Sequence, residues 1–127
     1  MTPEGYLLDS HILLWIDGEP ERLAGTPLRQ LLHQSSVYVS VATAWELAIK
    51  LASNKLELPV PVSKMAAVYG FSELLITFQH VEQAAVLPFH HRDPFDRLLV
   101  AQAQVERLIL VTTDKKLAEY GVPILLV

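Results

Sequence analysis

Residues 90–114, HHRDPFDRLLVAQAQVERLILVTTD, bring a turn, a helix start and a buried strand together with Asp93, Asp96 and Asp114, and they constrain the fold more tightly than any other stretch. Asp93 stands where a helix N-cap belongs. Pro94 follows at the first helical position, which tolerates proline because its backbone N–H has no intrahelical acceptor. Asp96 comes three residues after Asp93, so both carboxylates fall in the first turn, at the positive end of the helix dipole. Two readings of the pair stand. One is a capping box, in which glutamate or glutamine is the usual partner and aspartate reaches back less well. In the other, Asp93 caps and Asp96 faces a site shared with Asp114, which leaves the apolar run 108–111 after Thr112 and Thr113.

The remaining chain supplies strands and helices in alternation. Residues 6–8 form a short apolar run ended by Asp9, and the lack of polar alternation suits a strand buried on both faces. Asp9 or Ser10 can cap the helix that follows through Ile16, and residues 17–20 read as a turn. Thr26 is a cap candidate before Pro27 and a helix to His33. Residues 36–40, SVYVS, read as the second strand. Val41, Trp45, Ala48, Ile49 and Ala52 then recur at helical spacing, with Asn54 as the stop. Glu46 borders that apolar face and has Lys50 four residues on, the favoured order for a surface ion pair. A proline-bracketed link at 55–61 leads to a helix over 62–69 closed by Gly70. Residues 74–78 read as a strand and residues 79 or 80 to 86 as a helical segment. A short helix over 115–120 stopped by Gly121 and a closing strand over 124–127 complete the chain.

This alternation predicts one α/β domain over residues 1–127, with a mainly parallel sheet of about five strands flanked by helices. Parallel strands with right-handed crossovers gather their C-terminal ends at one edge, where ligand crevices form. Asp9, Glu46, Asp96 and Asp114 are expected to converge there from four segments. Crowded carboxylates repel, and a hard cation is the economical remedy. Mg²⁺ or Mn²⁺ prefers such oxygens and can activate water and stabilise a phosphoryl oxygen. Thr112, Thr113 or Ser10 could hold a carboxylate or a water.

Composition narrows the chemistry. The 127 residues are 51% hydrophobic and 19% charged and contain no cysteine, so thiolate metal sites, disulfides and cysteine nucleophiles are excluded. The formal net charge of -4 argues against a broad basic nucleic-acid surface unless a bound cation inverts the local field. The N-terminal MTPEGYLLDSHILLW has no basic leader, and Asp9 and His11 interrupt its apolar run, so a cytoplasmic protein without a membrane span is expected.

Four motifs, YLLDSHILLW, SVATAWELAIK followed by NKLEL, HHRDPFDRLLVAQA and LVTTDKKLAEYGV, resemble in order and spacing those of the PIN domain family, most like VapC-type toxins. The resemblance covers nearly the whole chain. It implies a Mg²⁺- or Mn²⁺-dependent endoribonuclease, the toxin of a type II toxin–antitoxin pair, with RNA as substrate, a cognate antitoxin as partner and a homodimer as the usual assembly. It assigns metal ligation and catalysis to Asp9, Glu46, Asp96 and Asp114, with Asp93 and Thr112 in support, beside the Ser10 hydroxyl that the residues themselves suggest. His11 departs from the asparagine common at that position. His90, His91 and Arg92 read as exposed loop residues that can reach phosphate. Two other readings stand beside this one, a metal-dependent phosphohydrolase on a small substrate and a catalytically silent interaction domain whose acids only cap helices.

Overall fold

A computed structural model describes residues 5–127. Five strands form one parallel sheet in the order β3-β2-β1-β4-β5, where β1 is Gly5–Leu8, β2 Val37–Ser40, β3 Ser72–Leu74, β4 Leu108–Thr112 and β5 Ile124–Leu126. The helices are α1 (Ser10–Gly18), α2 (Leu28–Gln34), α3 (Val41–Ala52), α4 (Val62–Tyr69), α5 (Phe78–Val86) and α6 (Pro94–Glu106), with 3-10 turns at Pro20–Leu23 and Lys115–Tyr120. The expected α/β class and strand number are both present.

The sheet is buried on both faces, as its apolar strands require. One core layer gathers Leu8, Ile12, Leu13, Val39 and Leu47, and the other Leu7, Leu99, Val100, Leu110 and Leu117. Central β1 lies against β2 closely enough that a Cβ on Gly5 would meet the Ser36 carbonyl oxygen at 2.6 Å. Only glycine fits there. After β1 the chain winds outward through β2 and β3, then returns to place β4 on the other side of β1. That reversal opens a crevice beyond the C-terminal ends of β1 and β4.

Several expectations need correction. The third strand is Ser72–Leu74, two residues earlier than the sequence suggests, because Thr77 caps α5 and takes the chain out of the sheet. The Thr77 hydroxyl accepts the His80 N–H while His80 Nδ1 accepts the Thr77 N–H, a capping box with histidine in the usual glutamate position. Thr26 does not cap α2. Its hydroxyl donates to the Leu23 carbonyl at 2.7 Å, closing the 3-10 turn that follows α1. The short helix expected over 115–120 is present, as a 3-10 helix ended by Gly121. The buried face of α3 is Ala42, Thr43 and Leu47, whereas Trp45 and Ile49 are 62% and 45% exposed, so the sequence stripe faces outward.

Candidate active site

The chain delivers its acids to the crevice through ordinary capping. Asp9 follows β1 and caps α1, with Oδ1 accepting the Ile12 N–H at 3.1 Å, and its own N–H donates to the Val111 carbonyl of β4 at 3.0 Å. The Thr112 hydroxyl donates to Asp9 Oδ2. Each carboxylate oxygen therefore has one protein donor and keeps a further lone pair. Thr112 also accepts the Asp114 N–H at 3.1 Å, and Asp114 Oδ1 accepts the Lys116 N–H at 2.9 Å. Asp93 Oδ1 accepts the Phe95 and Asp96 N–H groups, so Asp93 is the cap that its place before Pro94 suggests.

Glu46 comes from α3, whose position against α6 is set by a buried strut. Ser40 caps α3 and donates to Gln102 Oε1 of α6, and both side chains are fully buried. The side-chain amide of Gln102 continues to His80 Nδ1 and the Leu75 carbonyl. A fixed α3–α6 pair fixes Glu46 relative to Asp96.

Asp9, Ser10, His11, Glu46, Lys50, Asp93, Asp96, Thr113 and Asp114 line one cleft of ≈ 440 Å³. Asp9, Glu46, Asp96 and Asp114, brought together on sequence grounds, thus share a cavity, and Thr112 stands behind Asp9 as a buried support. Crowding is legible in the acid–base chemistry. Asp96 is pushed up from 3.8 to about 7, first by burial and then by the Asp93 charge, with Asp9 and Glu46 adding and His91 opposing. Burial likewise raises Asp9 against the lowering effect of its hydrogen bonds to Thr112 and Ile12 and of the His11 charge.

Two basic side chains temper the repulsion, Lys50 as a cation and His91 as a hydrogen-bond donor. Lys50 pairs with Glu46 at 3.1 Å inside the cleft. His91 Nε2 lies 3.1 Å from Asp114 Oδ2 and 3.4 Å from Asp96 Oδ2, so His91 is not an exposed loop residue. The Asp93 N–H donates to His91 Nδ1 at 3.1 Å, which leaves the ring proton on Nε2 and aims it at the two carboxylates. In that tautomer His91 bridges the acids as a donor and has no Nε2 lone pair for a metal. His91, Asp96 and Asp114 nevertheless bring ligand atoms within 4.8 Å of one another, the spacing of a cation site. His90 turns away, to Glu119 at 3.4 Å and the edge of Tyr120. Arg92 lines a neighbouring hollow with Phe89, Pro94 and Arg97.

With this geometry in place, comparison with known proteins decides the family. The PIN domain model matches residues 6–123. The chain belongs to the PIN domain family. Ribonuclease VapC22 of Mycobacterium tuberculosis (strain ATCC 25618 / H37Rv) is 30% identical over 122 residues, 92% of either chain. Two solved structures share the fold. VapBC2 from Rickettsia felis, bound to a DNA fragment from its promoter, matches at a TM-score of 0.69 and 15% identity, covering 94% of this chain and 96% of that one. A toxin–antitoxin complex from Klebsiella pneumoniae matches at 0.65 and 21%, covering 94% and 95%.

Sequence reasoning missed two members of this PIN domain site. His91 carries no periodic or capping signal of its own, and only its place two residues before the cap Asp93 hints that its ring folds back. Arg97 is the other. It is buried, and its guanidinium donates to the carbonyls of Ala84 and Leu87 at 2.9 Å and of Pro88 at 2.8 Å, closing the C-terminal end of α5 and fixing the segment that carries His91.

Proposed function

We propose that this PIN domain is a Mg²⁺- or Mn²⁺-dependent endoribonuclease and the toxin of a toxin–antitoxin pair. The observation that carries the reading is the convergence of Asp9, Glu46, Asp96 and Asp114 in one cleft at the switch point of the sheet. The name of the relative in Mycobacterium tuberculosis supports ribonuclease activity, and the complexes sharing the fold support an antitoxin partner.

The donor set fits a hard divalent ion. It is carboxylate oxygen throughout, and burial, with the neighbouring acids adding, pushes one member, Asp96, up to about 7. Asp9, Glu46, Asp96 and Asp114 would hold the ion. When bound it supplies Lewis-acid stabilisation of phosphoryl charge and lowers the pKa of water. The chain's own residues do the rest. Thr112 fixes the Asp9 carboxylate, Lys50 orients Glu46, and His91 keeps a donor proton on Nε2 at the cleft wall. To hold a cation Asp96 would have to give up its proton, so binding would release protons and tighten as pH rises. Hydrolysis by water leaves a 5′ phosphate and a 3′ hydroxyl.

The exposed Trp45 and Ile49 stripe on α3 is the kind of apolar surface that a protein partner covers. Among the described residues, no helix is long and apolar enough to cross a membrane. Incubating purified protein with mixed RNAs, with Mg²⁺ or with EDTA, and mapping the cut ends tests the reading. Cleavage that requires the ion and leaves 5′ phosphates is expected. Ion-dependent release of phosphate from small esters with intact RNA would replace it with a small-substrate phosphohydrolase, and no response to Mg²⁺ would replace it with an interaction domain.

A further inference from the structure

We infer that the hollow beside the acidic cleft, walled by Phe89, Arg92, Pro94 and Arg97, is a stacking subsite for an unpaired nucleobase of the RNA strand. The inference rests on the ribonuclease reading and specifies how such a strand is gripped. Phe89 is 81% exposed, an unfavourable position for a large aromatic ring that has no ligand. Yet the ring is not loose. The Arg97 guanidinium lies 4.5 Å from its centroid, and that guanidinium is anchored by the α5 carbonyls and by weaker contacts to the His91 carbonyl and the Tyr120 hydroxyl. One face of Phe89 thus rests on a buried, immobilised cation while the ring stays open to solvent. A preorganised aromatic shelf of this kind accepts a base without first being ordered.

The hollow measures ≈ 550 Å³, within the range of small-ligand pockets. It adjoins the cleft through the chain itself, because Asp93 lines the cleft and Pro94, the next residue, lines the hollow. Residues 91–94 therefore alternate between the two, with His91 and Asp93 at the acids and Arg92 and Pro94 at the hollow, where Phe89 joins them. A strand whose phosphodiester lies at the acids can set a neighbouring base on Phe89. Charge agrees with this polarity. Arg92 is exposed and makes no salt bridge among the described residues, which leaves a cation at the rim for a phosphate in a protein whose net charge is -4. Stacking is tolerant of sequence, so the subsite selects single-stranded RNA rather than a particular base.

The test uses a twelve-residue oligoadenylate and the full chain. With EDTA present, Phe89→Trp should add fluorescence that the oligonucleotide quenches beyond the signal of the parent. Phe89→Ala and Phe89→Leu should weaken binding roughly 5- to 150-fold, the range reported for loss of one stacked base, and Phe89→Trp should restore it. Leucine keeps the apolar bulk without a π face, so equal binding by Phe89→Leu and the parent overturns stacking. In cleavage with Mg²⁺ the loss should appear in KM with kcat little changed. Normal cleavage with no effect of Phe89→Ala on KM or binding overturns the subsite and keeps the nuclease. Quenching and binding that depend on residue 89, in a protein that cuts no RNA, overturn the nuclease and keep the subsite. Loss confined to the affinity of a protein partner assigns Phe89 to that partner and overturns the proposal.

Discussion

Replacing Asp96 with asparagine tests the repulsion stored in the cleft. Burial and the neighbouring acids push the folded-state value from 3.8 up to about 7, while the unfolded chain returns the group to its ordinary value. Between those two values the folded protein holds a proton that the unfolded chain has released. Stability in EDTA is therefore fully present below about pH 4, falls as pH rises toward about 7 and is level above it. Each pH unit in the middle of that window is worth about 1.36 kcal/mol, and since the folded group is half ionised by about pH 7, passing from about pH 5 to 7 removes about 2.3 kcal/mol. The side chain is 25% exposed, and solvent screening lowers the figure to about 2 kcal/mol. Asp96→Asn has no such proton to lose. Urea unfolding in EDTA at several pH values should give a parent whose stability drops across the window and a variant whose profile is flatter by about 2 kcal/mol. Adding Mg²⁺ reverses the ranking, since a ligand at a hundredfold excess over Kd stabilises the native parent by about 2.7 kcal/mol and the variant should forfeit most of that. Parallel pH profiles for the two proteins would refute the account of Asp96, and equal stabilisation of both by Mg²⁺ would remove it from the metal site.

Asp93 and Asp96 should separate in activity assays. Asn at position 93 still caps α6 and should leave substantial cleavage, Asn at position 96 should abolish it, and equal loss in folded variants would contradict the division. His91→Ala should leave Mn²⁺ affinity, measured by calorimetry, within a few-fold of the parent or tighter, because the Nε2 proton competes with a cation; tenfold weaker binding would make His91 a ligand. Thr112→Val strands Asp9 Oδ2 and the Asp114 N–H and should destabilise the protein by about 1–3 kcal/mol in urea melts. An antitoxin that plugs the cleft with an arginine should lose apparent affinity as Mg²⁺ rises at constant ionic strength; unchanged affinity would rule out the plug.

Features encoded by local chemistry were legible in the chain. Asp93 before Pro94 marked α6, the unalternating apolar runs marked buried parallel strands, and Asn54 and Gly121 take left-handed backbone where the sequence stops its helices. Features encoded by tertiary context were not. Helix α6 ends at Arg107, which adopts φ 58 without glycine or asparagine to announce it. The α3 stripe of Trp45 and Ile49 has the period of a core face but looks outward, because the small residues Ala42 and Thr43 are what the closely packed neighbouring elements admit. Asp9, Asp96 and Asp114 were readable because each sits at the end of a strand or the start of a helix, where sequence fixes position, and Glu46, in the middle of α3, because it borders the apolar stripe of that helix. His91 was not, since its place depends on Arg97 gripping the carbonyls at the C-terminal end of α5 and of the irregular segment that follows.

Local capping and the gathering of the acids are thus one arrangement in this fold. Asp9 and Asp114 cap the segments after β1 and β4, and those two strands are neighbours in the sheet because β4 returns to the far side of β1. Any chain with this strand order and acids at those caps brings the carboxylates together whether or not a cation is present. The repulsion must then be met by the protein itself, and it is met by dispersed means. Thr112 gives Asp9 a donor, Lys50 pairs with Glu46, His91 bridges Asp96 and Asp114, and Asp96 retains a proton near neutral pH. Three of these act on carboxylate lone pairs or charge that a divalent ion would also use. A cleft held together by replaceable contacts of this kind stays folded without an ion and leaves those same groups open to exchange with a cation.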